Sequence, residues 1–189
     1  MEYDSLRAKI DWTPASKGGN SVITHDLVED GDTLWFEPKR IYLAIGFFSI
    51  ILGISSLIVG FLMDKNTFYF IGVLCLIMSP ATFRAASQKI VFDLTKKIFW
   101  RGSITKKATD KIKSFDEVIA LQIVKEKVVT TSRAGSSNQI TKSIFNSYEL
   151  NVVFSDFSRM TLVDHGNLKL IESNGKKLSS IIDVPLLSQ

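Results

Sequence analysis

The chain has 189 residues, with 23 Lys and Arg against 19 Asp and Glu, a net charge of +4 and a mean hydropathy of +0.17. One cysteine, Cys75, and two histidines, His25 and His165, exclude a disulfide framework, a cysteine-cluster metal site and a His-rich metal centre. The charge balance is too mild for a nucleic-acid-binding protein. The hydropathy is too high for a disordered chain, which leaves a membrane-attached protein.

In chain order, residues 1–32 read as a flexible N-terminal segment, with Lys17-Gly18-Gly19-Asn20-Ser21 its most turn-prone stretch. Residues 33–38 read as a strand that joins a later β domain. Trp35, Phe36 and Tyr42 are candidate interfacial anchors. Residues 41–83 read as a transmembrane helical hairpin. Its first run, Ile41 to Met63, has 23 residues without a charge, and its second, residues 66–83, has 18. As helices they reach about 35 Å and about 27 Å, against a hydrocarbon core of about 30 Å.

Small residues recur along the first helix at Gly46, Ser49, Gly53, Ser56 and Gly60. The second helix repeats the stripe with Gly72, Cys75, Ser79 and Thr82. In lipid, helices associate by close backbone approach, which small residues permit. Two readings follow: the stripes face each other, or one of them faces a second subunit as a homo-oligomer contact. Pro80 is expected to kink the second helix.

Charge gives orientation. Residues 1–40 hold 5 basic and 8 acidic side chains, while residues 84–113 hold 9 basic and 2 acidic. Lys39 and Arg40 abut the first helix and Arg84 ends the second. Basic residues beside membrane ends stay in the cytoplasm, so both termini are expected there and the Asp64–Thr67 turn on the far side. The cluster Arg84, Lys89, Lys96, Lys97, Arg101, Lys106 and Lys107 is a candidate lipid-binding surface, or a topology signal only.

Residues 88–189 read as a cytoplasmic domain. Residues 90–101 form a hairpin turning at Thr95-Lys96-Lys97. Residues 115–125 and 128–132 read as two strands. Residues 131–147, rich in Ser, Thr, Asn and Gly, read as a mobile loop with its tip at 134–138. Tyr148 to Phe154 and Arg159 to Val163 make a second hairpin. Asn167 caps a last helix, weakened at Asn174-Gly175 and ended by Pro185. Asp164-His165-Gly166 reads as a strand-to-helix turn with Asp164 or Asn167 as the cap, rather than as a general-base site. No nucleotide loop or nucleophile motif is present, so no catalytic, cofactor-binding or metal-ligating residue is expected.

Six or seven antiparallel strands followed by one helix resemble the pleckstrin-homology-like (PH-like) fold. The chain also resembles a group of bacterial inner-membrane proteins that join two membrane helices to such a domain. The residues that carry this are Gly18-Gly19-Asn20, Thr24-His25-Asp26-Leu27-Val28, Leu34-x-Phe36-x-Pro38, Phe92-Asp93, Tyr148-Glu149-Leu150-Asn151 and Asp164-His165-Gly166. The expected fold class is therefore an α+β membrane protein: a two-helix transmembrane hairpin plus an antiparallel PH-like β-barrel or sandwich with a C-terminal helix. The expected function is a non-catalytic anchored interaction module whose partners are membrane lipids or an unidentified protein. The alternative is an immunity-type protein that neutralises a pore-forming toxin through its helices.

Overall fold

The computed structural model of the chain describes residues 2–104, 112–133 and 140–189. It is an α+β protein with two long apolar helices and two sheets. The first sheet is a five-strand antiparallel meander: β1 (His25–Asp30), β2 (Thr33–Pro38), β3 (Lys89–Asp93), β4 (Ile98–Gly102) and β5 (Ile112–Ser114). The helices α2 (Ile41–Met63) and α3 (Asn66–Ser87) are an insertion between the neighbouring strands β2 and β3. Both helices therefore leave the same end of that sheet.

The second sheet has the order β8-β7-β6-β9, with β6 (Val118–Arg133), β7 (Ile140–Phe154), β8 (Arg159–His165) and β9 (Leu186–Ser188). The strand β9 runs parallel to β6, a pairing that sequence alternation does not reveal in three residues. The two sheets do not close into one barrel, because the strand orders end separately at β5 and β9.

Alternation decides what is buried. Leu34, Phe36, Ile90, Phe92 and Phe99 line the inner face of the first sheet, and Leu121, Ile123, Leu150 and Val152 that of the second. Phe99 stacks on Phe92 at 5.4 Å and on Phe154 at 6.2 Å. Phe36 is fully buried in this core, so it does not serve as an interfacial anchor. The helix α4 (Leu168–Ile182) adds Ile171, Leu178 and Ile182 to the same core. Asn167 is its cap, accepting from Leu170 N–H at 3.1 Å. The helix runs unbroken through Gly175. A Cβ there would stand 3.1 Å from Leu186 and 3.3 Å from Leu150, so the glycine lets the helix lie close on the sheet.

Three expectations change. The segment expected to be flexible holds α1 (Glu2–Lys9) and β1, and between them hydrogen bonds to distant residues hold a polar stretch that has little propensity of its own. Residues 115–125 and 128–132 are not two strands. Phe115–Glu117 is a 3-10 turn, and β6 then continues unbroken to Arg133. Residues 131–133 and 140–147 are paired strand rather than loop, since Thr and Ser suit a ladder as well as a turn. The expected tip, 134–138, lies outside the described residues.

In the helical hairpin the two small-residue stripes face each other. A Cβ on Gly53 would meet Leu76 Cγ at 2.8 Å, and one on Gly72 would meet Leu57 Cγ at 2.7 Å. Gly46, Gly53, Ser56, Gly60, Gly72 and Ser79 are buried between the helices, while Cys75 and Ser49 lie at the edge of the contact. The helix α3 continues through Pro80. Proline cannot donate to the carbonyl of Leu76, and Ser79 Oγ donates to it instead at 3.0 Å. The outer faces leave Phe47, Phe48, Ile51, Phe61 and Phe70 uncovered.

Candidate functional site

The motif segments quoted above, far apart in sequence, mostly meet at one corner of the β domain, the corner nearest the helices. The link begins at Lys39, whose N–H donates to the carbonyl of Thr24 at 2.9 Å just before α2. Thr24 Oγ1 in turn donates to the carbonyl of Asp164 at 3.0 Å. Gly166 packs so closely that a Cβ would stand 2.4 Å from the carbonyl oxygen of Ser21, which explains why no larger residue fits there.

Residues 10–24 form a strap across the outer face of the second sheet, and that face holds it mainly by its backbone. Glu149, fully buried, accepts from the N–H groups of Ala15 at 2.8 Å and Ser16 at 3.0 Å and from Ser16 Oγ at 2.8 Å. Glu126 accepts from the N–H groups of Gly18 at 3.2 Å and Gly19 at 3.0 Å. Asp164 accepts from Asn20 N–H at 3.2 Å. In the other direction, Gln122 donates to the carbonyl of Asp11 at 2.8 Å and Arg159 to that of Thr13 at 2.6 Å. Gly19 lies against the sheet, where a Cβ would collide with Ser147 Cβ at 2.4 Å. Ile10 anchors the strap among Ala120, Val153 and Leu187. Asp164 thus ties the strap, and Asn167 alone caps α4.

Beside the strap, the end of the sandwich is open. A cavity of about 340 Å³ lies there, bounded by His25, Gln88, Ile90 and Arg101 of the first sheet's end, by β8 from Thr161 to Asp164, and by Ser16. Arg101 bridges the two sheets by donating to the carbonyl of Thr161 at 2.7 Å. The apolar interior gives way here to an imidazole, an amide and a guanidinium. Asp164 adds a carboxylate to the same lining.

Burial lowers the pKa of His25 below its ordinary value of 6.5, opposed by Asp164 and reinforced by Arg101 and His165. Burial likewise lowers His165, opposed by Asp164 and Asp26. His165 is fully buried; its Nδ1 accepts from Asn167 N–H at 3.1 Å, and its Nε2 has no partner among the described residues. Both imidazoles are therefore neutral in the folded protein near pH 7. As pH falls below 6.5 the unfolded chain takes protons that the folded one resists, so folding stability drops until the folded pKa values are passed. Thermal melts should show this loss above the carboxylate range of about pH 4. His165→Gln should remove part of the pH slope.

Cations surround the helix exits. Lys39 pairs with Asp26 at 2.6 Å, and Lys89 pairs with Glu37 at 2.9 Å and covers the Trp35 ring. Arg40 and Arg84 are exposed; Lys89 holds the Glu37 carboxyl below the usual range, and Arg40 lies near enough to help. The sequence-predicted cluster is thus only partly assembled. Arg84, Lys89 and Arg101 share the helix end. Lys96 and Lys97 sit in the β3–β4 turn, at the opposite end of strands that rise about 13 Å. Lys106 and Lys107 lie outside the described residues. Arg40 belongs to the rim although sequence reasoning counted it only as an orientation signal. Glu149 was missed as the strap's main acceptor, since a buried carboxylate inside a strand has no local signature.

No protein-family model, no curated protein and no solved structure matches this chain. The fold and site define an α+β protein in which two helices, apolar and long enough to cross a membrane, share one end of a two-sheet domain. Among the described residues no cluster of metal-ligating side chains occurs.

Proposed function

We propose that the chain is a non-catalytic binding module anchored in the bacterial inner membrane. In this reading α2 and α3 span the bilayer, both termini are cytoplasmic, and a PH-like β domain docks on the anionic surface through its cationic end. One observation carries it: the end from which both apolar helices emerge also presents Arg40, Arg84 and Arg101, beside the Lys39–Asp26 and Lys89–Glu37 ion pairs. Each cation at an anionic surface contributes about 1 kcal/mol. The uncovered aromatic and aliphatic faces of the helices support membrane burial, since soluble surfaces rarely carry so wide an apolar patch. Two sheets that share one core with a C-terminal helix, α4, support the PH-like assignment. The alternative of pairing with a pore-forming toxin needs the small-residue stripes to face outward. Their mutual packing favours the binding module.

Topology tests it. In a chain with Cys75 replaced by alanine, single cysteines are placed by Lys65→Cys and Ser188→Cys. A membrane-impermeant maleimide should label position 65 in intact spheroplasts and position 188 only in inside-out vesicles. The reverse pattern, or labelling of both sites from one side, overturns the reading.

A further inference from the structure

The ribbon formed by the far halves of β6 and β7 extends past the core. Over the core, the inner face of this pair carries Leu121 opposite Val152 and Ile123 opposite Leu150, all buried. Continuing along the same face, the register puts Lys127 opposite Asn146, Val129 opposite Ile144 and Thr131 opposite Lys142. Nothing covers this stretch: Val129 is 54% and Ile144 58% exposed, and both lysines are exposed. Residues 127–146 contain Lys127, Arg133 and Lys142 and no acidic residue. The alternation places an exposed aliphatic pair between Lys127 and Lys142 on one face, while the opposite face of the same stretch carries Val128, buried, opposite Phe145 and then Thr130 opposite Ser143.

The root of the ribbon is near the helices. Tyr148 pairs with His165, Asp164 holds Thr24, and Thr24 holds Lys39 at the start of α2. From there the seven residues 127–133 reach about 23 Å.

We propose that this face of the ribbon is a second membrane contact, and that its occupant is the anionic phospholipid surface of the bilayer that holds α2 and α3. The proposal rests on the membrane-anchored reading above. A cationic rim around an aliphatic centre is the composition of an interfacial segment: lysines at headgroup phosphates, Val129 and Ile144 at the acyl boundary. The absence of any carboxylate on the segment fits a negatively charged surface. The tether removes the need for high intrinsic affinity, because the lipid is always within reach.

The test uses the full chain in nanodiscs with Cys75 replaced by alanine and a nitroxide at one of two sites, Ile144→Cys on the ribbon or Ile58→Cys on the exposed side of α2. Accessibility to oxygen and to a polar nickel complex gives the depth of each label. With phosphatidylglycerol present, Ile144→Cys should move to the headgroup boundary; with phosphatidylcholine alone it should stay in water. Adding Lys127→Gln and Lys142→Gln removes two cations and should lower the bound-to-free ratio of the ribbon about thirtyfold. Val129→Ser, which keeps the charges, should make the bound label shallower. If Ile144→Cys stays aqueous in both lipids while Ile58→Cys is deep, the ribbon proposal fails and the anchor stands. If Ile58→Cys is itself aqueous, the anchored reading fails. A label that becomes immobile only on adding an acidic polypeptide or RNA overturns lipid as the occupant.

Discussion

Gly53→Leu is expected to separate α2 from α3. The new side chain starts 2.8 Å from Leu76 Cγ and 3.1 Å from the carbonyl oxygen of Gly72, and the latter is backbone that cannot rotate away. Overpacking a well-fitted site costs about 1–3 kcal/mol. The cost falls on the middle of the α2–α3 interface, so the helices should splay along their middle third. A disulfide formed between Gly46→Cys and Thr82→Cys, positions that touch in the structure, reports the spacing. Cross-linking should be rapid in the parent and slow in the Gly53→Leu chain. Gly53→Ala should fall between the two, since its methyl carbon meets the same Leu76 and Gly72 atoms but adds nothing beyond them. Equal cross-linking in all three would remove close glycine packing as the basis of the hairpin.

Glu149→Ala is expected to release the strap. The buried carboxylate takes three donors from Ala15 and Ser16, and a fourth contact comes from Asn151 Nδ2 at 3.3 Å. Hydrogen bonds to a charged acceptor contribute about 1.5–3 kcal/mol each, and the freed N–H groups regain water. A net loss of about 3 kcal/mol follows. Because Lys17 lies inside the strap, trypsin reports the release directly. Cleavage after Lys17 should be slow in the parent and fast in Glu149→Ala, while the core resists equally in both. Glu126→Gln should have a smaller effect, for Glu126 is partly exposed and holds only two N–H groups. If Lys17 is cut at the parent rate in Glu149→Ala, the strap is held elsewhere.

What the sequence made legible was local. The helical hairpin is written in 23 uncharged residues and a stripe of glycines, and β3–β4 and β7–β8 in period-two alternation next to clear turns. The strap was illegible because its order comes from acceptors more than a hundred residues away, such as Glu149 for Ala15. The pairing of β9 was hidden because a three-residue strand after a proline has no periodicity. The far ends of β6 and β7 read as a loop because Ser, Thr and Asn serve turns and exposed ladders alike. The site was half legible. Arg84, Lys89 and Arg101 cluster in sequence and in space, but Lys96 and Lys97 are carried away by the direction of β3 and β4. Only the register of a sheet separates two cations that differ by seven positions, such as Lys89 and Lys96.

The insertion of α2 and α3 between adjacent strands bears on how the chain matures. During synthesis β1 and β2 emerge first, and a lone two-stranded hairpin is barely stable in water. Their next partner, β3, follows only after both helices have been made. In the membrane-anchored reading, β2 and β3 share a compartment only when the helices cross an even number of times. A chain with one span inserted and the other left behind holds the two halves of its central ladder on opposite sides of the bilayer. It cannot bury Phe36 against Phe92. In that reading, the β2–β3 ladder closes only once both helices have crossed, so folding of the first sheet is coupled to complete insertion of the hairpin.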